Sequence, residues 1–529
     1  MMKKLLFFLL TPLIGISQTQ IGQDIIGDMP DDRFGYGVAL SADGNVMAVS
    51  APGNDNNGTD AGHIRVYSKV SGTWIQIGQD IEGDSINGQI GFKITLSDDG
   101  STLAFSSPFS QYTVNNFTHS GFVKVYKNVN GSWTQLGQDL RQDSFSGPLS
   151  YRGFGQSISL SADGNTIAIA ECAPTNNPSK IITYKYTLGN WVKMGEITPY
   201  THPEWQNGVY YAWDISLSAD GNTIAISDTD GSGTGASQSK LGYVTVFKYQ
   251  LGNWVKTGNT INGKNILASD FGHRVALSEN GNILAISDPL SDINGVNSGH
   301  VEVYKINGNN WIQIGNDIVG DAALDYLGYG LVMSANGNAL AIGCYGCDTV
   351  NGTDTGKIRI FENIQNNWVE KGGVIGANAG DAIGWAIALS KDGYNLAVGN
   401  LRSNSVSAKK NIRNLEEQTV SDNLLQANNY QAKGTFPGSV QVFNLSGILS
   451  SNTFVLENFN IYPNPTTDIL RIELDNGLIL EKVLIYNTSG QLIKETTEKT
   501  INVSSFAKGI YNLQILTNKG KATKKIIVK

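Results

Sequence analysis

The sequence predicts an all-β fold, a seven-bladed β-propeller followed by a second, smaller β-domain. The chain has 529 residues, 61 of them glycine, and the turn-forming residues Asn, Asp, Gly and Ser recur at short intervals. That composition is typical of many short strands and not of long helices. One strand–turn–strand pattern recurs seven times, and further strands follow each copy. Four-stranded units with a period of about 60 residues favour a propeller over a parallel β-helix, whose repeats are shorter.

The repeat is clearest around its first turn. The first unit reads "VALSADGNVMAVS" and the fifth reads "VALSENGNILAIS". Glycine supplies the positive φ that an Asp-Gly or Asn-Gly turn between two strands needs. The turn glycines recur 56 to 64 residues apart, at Gly44, Gly100, Gly164, Gly221, Gly281, Gly337 and Gly393.

A second strand pair follows, as in "GHIRVYSKVSGTWIQIG", and its last strand opens with Trp in the first six units. Each unit therefore has four antiparallel strands, which we call first to fourth. Along the first strand, large side chains such as Phe34 and Tyr36 alternate with small ones such as Gly35 and Gly37. We expect the large face of one sheet to pack on the small face of the next.

The seventh unit lacks a Trp-led fourth strand, although Ser439–Asn444 supplies a third. The stretch "QTQIGQD" at Gln18–Asp24 resembles the end of a unit, "WIQIGQD", and precedes the first unit. We expect Gln18–Asp24 to pair with Ser439–Asn444, so that the N-terminal strand closes the propeller and leaves no exposed sheet edge.

The first residues, "MMKKLLFFLLTPLIGIS", combine two lysines, an apolar run and a small-x-small site. They predict a secretory signal peptide, because the run is too short for a stable membrane span. No later segment is apolar for long enough to span a bilayer, so we expect an exported chain without a transmembrane segment. The predicted boundaries are signal peptide 1–17, propeller 18–445 with a polar insertion at 401–438, linker 446–456 and second domain 457–529.

The units resemble FG-GAP repeats over residues 18–445. The resemblance lies in "FGYGVALSADGNVMAVSAPGND" and in the dipeptides Phe34-Gly35, Phe154-Gly155 and Phe271-Gly272. It implies a propeller. Integrin-type members hold calcium in an Asp-x-Asp-x-Asp-Gly loop, but the corresponding turn here is only "SADGN", so the resemblance implies no calcium at that turn.

The tail, from "NFNIYPNPTTDILRIEL" to "KKIIVK", is similar to the C-terminal sorting domain of type IX secretion substrates of Bacteroidetes-type bacteria. The resemblance implies an immunoglobulin-like β-sandwich, recognition by the secretion machinery, and a mature protein that is secreted or attached to the cell surface. The alternation of Leu470 and Ile472 with Arg471 and Glu473 independently predicts a half-buried strand. The matching sorting-signal positions are Pro463, Asn464, Pro465, Asp468, Gly490, Gly509 and Tyr511.

The net charge of the chain limits the kinds of partner that we expect. A formal charge of −8 disfavours binding to nucleic acid and to anionic membranes.

The cysteines allow several interpretations. Of three cysteines, Cys172 stands alone, while Cys344 and Cys347 form "CYGC", which suits a metal half-site, a redox pair or a local disulfide. A four-cysteine zinc site needs two such pairs, and an exported protein permits disulfides, so the structural interpretation is favoured.

The sequence contains no serine-hydrolase, zinc-protease or nucleotide-binding motif, so we predict no catalytic residue. His63 and His300 occupy equivalent slots and are interpreted as structural. The loops between second and third strands carry an Asn-Gly-x-[Asp/Asn] pattern that includes Asp60 and Asp354. This is either turn chemistry or a set of oxygen ligands for calcium, which makes those two aspartates metal candidates; no other cofactor is expected.

Candidate ligand-binding residues lie where the first strands begin. The slot after the Phe-Gly dipeptide is mostly aromatic, and such side chains stack on sugars or fill space between blades. The following slot is mostly small, but three charged residues interrupt the pattern and are the best site candidates. The six candidates are Tyr36, Trp213, Trp385, Lys93, Asp214 and Arg274.

Two function classes remain open at this point. One is a secreted or surface-attached binding and adhesion module for glycans or proteins. The other is a propeller hydrolase or lyase acting on polysaccharide, which would need paired acids at the channel mouth. Asp214 has no obvious acidic partner, so we favour the first. We expect the ligand on the loop face, which carries the second–third loops and the inter-unit loops. The opposite turn face carries the seven nearly identical Asp-Gly turns.

Overall fold

The computed structural model describes most of the mature chain. Its described residues form strands and turns without a helix, so none of them belongs to an apolar helix that could cross a membrane. The predicted signal peptide, Cys172 and most of the insertion lie outside them. The chain divides into two compact units, Met1–Ile448 and Leu449–Lys529. The described residues are 19–114, 117–141, 154–171, 179–198, 211–229, 242–264, 269–401, 436–446, 449, 458–475, 477–487, 492–517 and 520–529.

The first compact unit contains seven antiparallel sheets within its described residues, one for each sequence repeat. Two short strands come first, β1 (Thr19–Gln20) and β2 (Ile25–Ile26). Sheet one holds β3 (Gly37–Leu40), β4 (Val46–Ala51), β5 (His63–Val70), β6 (Thr73–Gln76) and β7 (Ile81–Glu82). Sheet two holds β8 (Ile94–Leu96), β9 (Thr102–Val114), β10 (Phe117–Val129), β11 (Ser132–Gln135) and β12 (Leu140–Arg141). Sheet three holds β13 (Phe154–Leu160), β14 (Thr166–Glu171), β15 (Lys180–Thr187) and β16 (Asn190–Ile197).

The remaining four sheets repeat the arrangement. Sheet four holds β17 (Tyr211–Leu217), β18 (Thr223–Asp228), β19 (Tyr243–Gln250), β20 (Asn253–Lys256) and β21 (Ile261–Asn262). Sheet five holds β22 (Val275–Leu277), β23 (Ile283–Asp288), β24 (His300–Asn307), β25 (Asn310–Gln313) and β26 (Ile318–Val319). Sheet six holds β27 (Leu327–Met333), β28 (Ala339–Cys344), β29 (Lys357–Ile364) and β30 (Asn367–Ile375). Sheet seven holds β31 (Ile387–Leu389), β32 (Asn395–Asn400) and β33 (Ser439–Asn444).

The N-terminal segment completes the seventh sheet, as the repeat predicts. Thr19 pairs with Asn444 in β1, and Ile25 pairs with Val440 in β2, so both short strands lie against β33. In sheets one, two, four and five the fourth strand is likewise split into two pieces, and both pieces pair with the third strand. The N-terminal segment therefore has the same geometry as a fourth strand inside a unit.

The first–second turn is stabilised by its own side chains. Ser41 Oγ donates to Asp43 Oδ1 at 2.6 Å and accepts the Val46 N–H at 2.9 Å, while Gly44 adopts a φ of +66°. A serine occupies the same place in all seven turns and bonds an Asp or Asn two residues later. Local turn chemistry thus accounts for the near-identity of the seven sequences.

The seven turns are also joined to one another in a closed cycle of backbone hydrogen bonds. In each turn, the residue after the serine donates its N–H to the carbonyl of the equivalent residue in the next unit. The donors and distances are Ala42 to Asp98 (2.9 Å), Asp98 to Ala162 (2.9 Å), Ala162 to Ala219 (2.9 Å), Ala219 to Glu279 (3.0 Å), Glu279 to Ala335 (2.8 Å), Ala335 to Lys391 (2.8 Å) and Lys391 to Ala42 (3.0 Å).

Apolar cores lie between neighbouring sheets. One cluster joins Phe34 and Met47 of the first unit to Ala388 and Val440 of sheet seven. Five further clusters join sheets one and two, two and three, three and four, four and five, and five and six. Gly35, with a φ of +92°, allows the close approach, because a Cβ there would lie 2.7 Å from the Ser439 carbonyl oxygen.

The Gly-Gln-Asp element of the repeat links successive units. Gln23 donates its side-chain amide to the Trp74 carbonyl at 2.8 Å and accepts the Trp74 N–H at 3.2 Å, while Trp74 Nε1 donates to the Ile21 carbonyl at 3.1 Å. Gln79 with Trp133 and Gln138 with Trp191 repeat the Gln–Trp contacts. The opening segment therefore contacts sheet one through Gln23 and pairs with sheet seven through its backbone.

The second compact unit has two antiparallel sheets around one core. Phe459, Leu470, Val483, Leu513 and Ile526 are fully buried there. Leu470 and Ile472 are buried while Arg471 and Glu473 are exposed, which is the predicted alternation. Its strands are β34 (Phe459–Tyr462), β35 (Ile469–Leu474), β36 (Leu480–Asn487), β37 (Leu492–Thr496), β38 (Thr500–Asn502), β39 (Gly509–Thr517) and β40 (Gly520–Val528). The sheet orders are β34-β35-β38 and β37-β36-β39-β40.

Candidate functional site

The slot that follows the Phe-Gly dipeptide forms one continuous layer, which we call the central layer. Its rings touch in unit order, and they include the predicted candidates Tyr36, Trp213 and Trp385. Gln156, which is buried, holds the remaining slot between Phe92 and Trp213. The ring-centroid distances are Phe92–Tyr36 5.8 Å, Tyr36–Trp385 6.1 Å, Trp385–Tyr329 4.6 Å, Tyr329–His273 4.5 Å and His273–Trp213 6.0 Å.

Small polar side chains of one sheet complete the free edge of the next. The first strand of each sheet lies at an edge, so no neighbouring strand accepts hydrogen bonds from the backbone N–H groups on its outer side. Ser159 Oγ accepts the Leu217 N–H at 3.0 Å, and Ser216 Oγ accepts the Leu277 N–H at 3.0 Å. The small face predicted for packing therefore also satisfies edge amides.

Asp214, a predicted ligand-binding candidate, belongs to this edge system. Its Oδ2 accepts the Val275 N–H at 3.0 Å, and its Oδ1 accepts from Ser157 Oγ at 3.2 Å. Both carboxylate oxygens therefore have partners within the protein. Asp214 contributes negative charge to the central layer and joins units three, four and five.

Lys93 and Arg274, the other two residues that interrupt the small face, lie in the same electrostatic environment. Burial and, to a smaller extent, the Arg274 charge lower the pKa of Lys93 to about 8, and the Asp214 carboxylate opposes both. Burial also raises the pKa of Tyr36, and Arg274 opposes that shift. Side chains of units one and two are thus affected by the charge of one guanidinium from unit five.

His273 and Asp270 form a buried pair beside Arg274. His273 Nδ1 lies 2.7 Å from Asp270 Oδ2. Burial lowers the pKa of His273 well below its ordinary value, so the imidazole is neutral, and burial raises the pKa of Asp270 to about 7. Asp270 was not among the sequence candidates. The sequence alone could have identified it, because the fifth unit is the one unit with an acidic residue directly before the Phe-Gly dipeptide or its equivalent.

Two buried nitrogen atoms of the central layer have no hydrogen-bond partner among the described residues, Trp213 Nε1 and His273 Nε2. Buried polar atoms are normally paired, so both atoms are open to a partner from outside the chain. Together with the ammonium of Lys93 and the guanidinium of Arg274, the indole N–H makes this layer rich in hydrogen-bond donors.

The two calcium candidates lie in second–third loops of different units. Asn57 and Asn351 in these loops donate their side-chain amides to carbonyls of the following inter-unit loop, at 2.6 and 2.8 Å. Asp60 already faces a cation, since Arg33 Nη2 lies 3.3 Å from its Oδ1. Asp60 and Asp354 both have positive φ, as turn residues do. The Asn-Gly pattern is thus engaged in loop structure, and calcium binding stays a prediction.

Three groups of side chains among the described residues are close enough to share a metal ion, and in two of them a disulfide or an ammonium group already engages ligand atoms. Cys344 and Cys347 form a disulfide, which is the local pairing that the sequence favoured. Lys264 Nζ lies 3.0 Å from both Glu302 and Asp317, so an ammonium group already neutralises those acids. The groups are Asp325 with Cys344 and Cys347, His63 with Asp80 and Glu82, and His300 with Glu302 and Asp317.

Aspartates in the inter-unit loops form ion pairs between neighbouring units. Each pairs with a cation on the third strand of the following unit, and Lys264 with Glu302 makes the same contact with the charges reversed. Asp143 lies outside the described residues. The pairs are Asp28–Arg65, Asp84–Lys124 (2.9 Å), Asp321–Arg359 (3.4 Å) and Lys264–Glu302 (3.0 Å).

The sorting-signal residues come together in the second compact unit. Pro463, Pro465 and Asp468 line a surface groove of about 500 Å³ together with Arg471 and the C-terminal Lys529. The prolines and the aspartate, which are close in sequence, therefore share a surface with the last residue of the chain.

The other sorting-signal positions hold the second unit together. Asn464 donates to the Lys525 carbonyl at 2.8 Å and accepts the Ile527 N–H at 2.9 Å. The Tyr511 hydroxyl donates to the Ala507 carbonyl at 2.8 Å. Gly509 opens β39, and Gly490 lies outside the described residues.

Comparison with protein families confirms both resemblances. Residues 460–529 match the secretion system C-terminal sorting domain, and residues 28–67 match the FG-GAP repeat. The sorting domain directs export through the type IX secretion system to the cell surface or the extracellular space.

Two relatives illustrate how far similarity extends. An ulvan lyase, NLR42, of Nonlabens ulvanivorans is 37% identical over 81 residues, which are 14% of this chain and 15% of that protein. Hydrazine synthase of Kuenenia stuttgartiensis aligns with a TM-score of 0.45 and 14% identity, covering 73% of this chain and 96% of that one. The first match spans only a small part of either protein, and the second is too weak to support an inference.

Proposed function

We propose that this chain, an FG-GAP repeat protein that ends in a type IX C-terminal sorting domain, is an exported binding protein with a seven-bladed propeller. The ligand, a glycan or a protein, binds at the central layer from the loop face. The protein works in the extracellular space or attached to the cell surface, where it acts as an adhesion module.

The closed cycle of turn hydrogen bonds and the pairing of β1 and β2 with β33 support the propeller. Seven repeats that each donate to the next, with the seventh donating to the first, fit a ring of blades at residues 18–445. For the tail, two antiparallel sheets around one core support an immunoglobulin-like sandwich at 457–529, after a linker at 446–456.

The central layer carries the proposal for the site. Three charged side chains interrupt the small face of the first strands, and they act on one another electrostatically although they come from units two, four and five. Half-buried aromatic rings surround them, and such rings bind sugar faces and protein side chains alike. By contrast, the turn face offers seven similar short turns whose polar groups bond one another.

Retention on a panel of immobilised polysaccharides, measured together with product release, tests this function. Wild-type protein should be retained without releasing product. The double variant Trp213→Ala with Arg274→Ala should lose retention while its unfolding temperature shows that it still folds. Asn45→Ala with Asn165→Ala, on the turn face, is the matched control and should bind normally. Equal retention of both double variants would place the site elsewhere.

A polysaccharide hydrolase or lyase is the second candidate, because one partial relative bears the name of a lyase. Asp270 is the acid to test, since its raised pKa, about 7, suits proton transfer near neutral pH. If product appears in the panel and Asp270→Asn abolishes it while retention persists, the enzyme class replaces the binding module.

For the export partner, the groove beside Pro463, Pro465 and Asp468 is the proposed contact of the type IX machinery. The groove combines apolar proline faces with charged groups of both signs, from Asp468, Arg471 and Lys529. Substituting Pro465 and Asp468 together by alanine should leave the protein folded and reduce its appearance outside the cell.

A further inference from the structure

The cations of the central layer lack the counter-charges that buried cations normally have. Within the described residues no ion pair of 4.0 Å or less joins Lys93 or Arg274 to a carboxylate. Arg274 uses one N–H, from Nη1, on the His273 carbonyl at 3.3 Å. Two acids lie close to these cations: Asp214 has partners for both of its oxygens, and Asp270 Oδ2 contacts His273 Nδ1. Two cations and several N–H groups therefore remain available to a ligand.

One neutral donor extends this arrangement. The Trp213 indole N–H is buried without a partner among the described residues. A desolvated donor without an acceptor costs free energy, so a ligand that supplies acceptor oxygens gains affinity here. Because two of the donors carry full positive charge, an oxyanion suits the layer better than a neutral hydroxyl.

We propose that the central layer is an oxyanion site that receives the carboxylate or sulfate group of an acidic glycan, with Lys93 and Arg274 as charged contacts and the Trp213 indole N–H as a neutral donor. The glycan part rests on the proposed function, whereas the oxyanion part rests on these donors alone. Aromatic rings on either side, Tyr36 and Trp385 among them, provide faces for the sugar that bears the charged group. The Asp214 carboxylate favours the charged form of Lys93, and its own hydrogen bonds go to Val275 and Ser157.

Sodium sulfate tests the oxyanion site without any glycan. At equal ionic strength against sodium chloride, sulfate should raise the unfolding temperature of the wild type by about 2 °C more than that of Lys93→Met with Arg274→Met. Methionine keeps the volume while removing the charge. Sulfate stabilises most proteins by exclusion, so the difference between the two proteins is the readout. Equal shifts would overturn the oxyanion site.

Three oligosaccharides of similar length then test the glycan: a polyuronate from alginate, a sulfated galactan from carrageenan, and a neutral glucan. One or both acidic probes should bind and the neutral probe should not, and the preferred acid identifies the group. Lys93→Met and Arg274→Met should each weaken binding about tenfold or more. Lys305→Met, at an exposed position on β24, removes the same charge away from the layer and should have no effect.

The outcomes separate the two proposals. Retention of the neutral glucan alone would overturn the oxyanion inference and leave the binding function standing. A sulfate-specific shift without retention of any oligosaccharide would keep the oxyanion site and overturn its assignment to a glycan. Binding of acidic probes that neither methionine substitution weakens would place the anion elsewhere and overturn the inference.

A pH series separates a direct role of Lys93 from a structural one. Between pH 7.5 and 9 the ammonium with its pKa of about 8 loses its proton, so anion affinity of the wild type should fall. Lys93→Arg stays charged and should bind with an affinity that is flat across that range. Arg274, Asp214 and His273, the groups that interact with Lys93, are common to both proteins, so they cannot produce the difference. Parallel pH curves would contradict a contact by Lys93.

Discussion

The backbone N–H of Lys391 donates to the carbonyl of Ala42 at 3.0 Å and joins the last repeat to the first. Every turn in the cycle both donates and accepts, so each must present its amide and its carbonyl in the same geometry. A residue that altered one turn would disturb two hydrogen bonds, one on each side. This relationship explains why the seven turns are nearly identical while the second–third loops vary, and it ties the stability of each unit to both of its neighbours.

Removing the N-terminal strand should therefore affect all seven sheets of the first compact unit. Deletion of Gln18–Asp28 leaves β33 with an unpaired edge, uncovers the apolar surface beneath Ile25 and removes the contacts of Gln23 with Trp74. We expect loss of a single cooperative thermal transition, or aggregation. Calorimetry with light scattering measures both. An unchanged melting transition would contradict closure by this strand.

Two adjacent isoleucines provide the matched point variants. Ile25 is 7% exposed and packs with Phe34 and Val440, whereas its neighbour Ile26 is 53% exposed. Ile25→Asp buries an unpaired carboxylate and should lower the free energy of unfolding by about 3 kcal/mol or more. Ile26→Asp should change it by about 0.5 kcal/mol or less. Denaturation midpoints that fall equally would show that β2 does not cover the core.

The fold could be predicted from the sequence because periodic patterns encode strands. Repeating Gly turns and Trp positions locate the four strands of each unit, and the spare "QIGQD" segment locates the closing strand. Contacts between units are not encoded in this way. Gln23 and Trp74 meet because two sheets pack side by side, and nothing in the spacing of the two residues indicates a hydrogen bond.

Asp214 shows the same limit at the candidate site. Its charge marks it as a departure from a small-residue slot, but either a ligand or an edge amide could explain that departure. The orientation of one sheet against the next decides, and it directs the carboxylate to the Val275 N–H. Asp270 could have been found from the sequence, by comparing the slot before each Phe-Gly dipeptide across units.

The ion pair between Lys264 and Glu302 has the reverse charges of the equivalent pair in the first unit, so we expect that its two residues can be exchanged together but not singly. Glu302 is fully buried and contacts Lys264, whereas the equivalent slots of the first unit hold Arg65 and Asp28. Glu302→Arg alone places two cations together and should cost about 3–5 kcal/mol of unfolding free energy. Adding Lys264→Asp reproduces the arrangement of unit one and should recover most of that loss, as chemical denaturation can measure.

The control exchanges the first-unit pair in the opposite direction, with Asp28→Lys and Arg65→Glu. A double-mutant cycle at each location should give a coupling free energy of about 2 kcal/mol or more. Strictly additive effects would mean that these ion pairs do not contribute to the specific packing of one unit against the next.

Asp288 should make stability depend on pH with a defined sign. It is fully buried, accepts from Ser269 Oγ at 2.7 Å and from the Asp270 N–H at 2.9 Å, and burial raises its pKa to about 6 from the ordinary value of 3.8. Between pH 4 and 6 the folded protein keeps this proton while the unfolded chain loses it, so this group's contribution to the free energy of unfolding falls as pH rises.

Asp288→Asn removes this one titratable carboxyl group and leaves all other titratable groups in the chain. The free energy of unfolding of the variant, minus that of the wild type, should therefore rise by roughly 2–3 kcal/mol from pH 4 to 7 and level off above that. Urea unfolding at several pH values measures the difference, in which the titrating groups that do not interact with Asp288 cancel; His300 and Asp270 do interact with it. Parallel curves over this range would show that Asp288 is ionised throughout.

The second compact unit should direct export, and the first compact unit should not need it for folding. The core of the second compact unit consists entirely of its own residues, Phe459 to Val528, so removing residues 457–529 takes away a complete core. The truncated chain should keep its unfolding temperature within about 2 °C, because no half of a shared core is lost.

The truncated chain should nevertheless accumulate in the periplasm, since the sorting domain directs the step across the outer membrane. Fractionation of host cells into periplasm, surface and medium measures this, with the full-length chain as reference. Normal amounts of truncated protein outside the cell would contradict the role of the tail, and a collapsed unfolding temperature would contradict its independence.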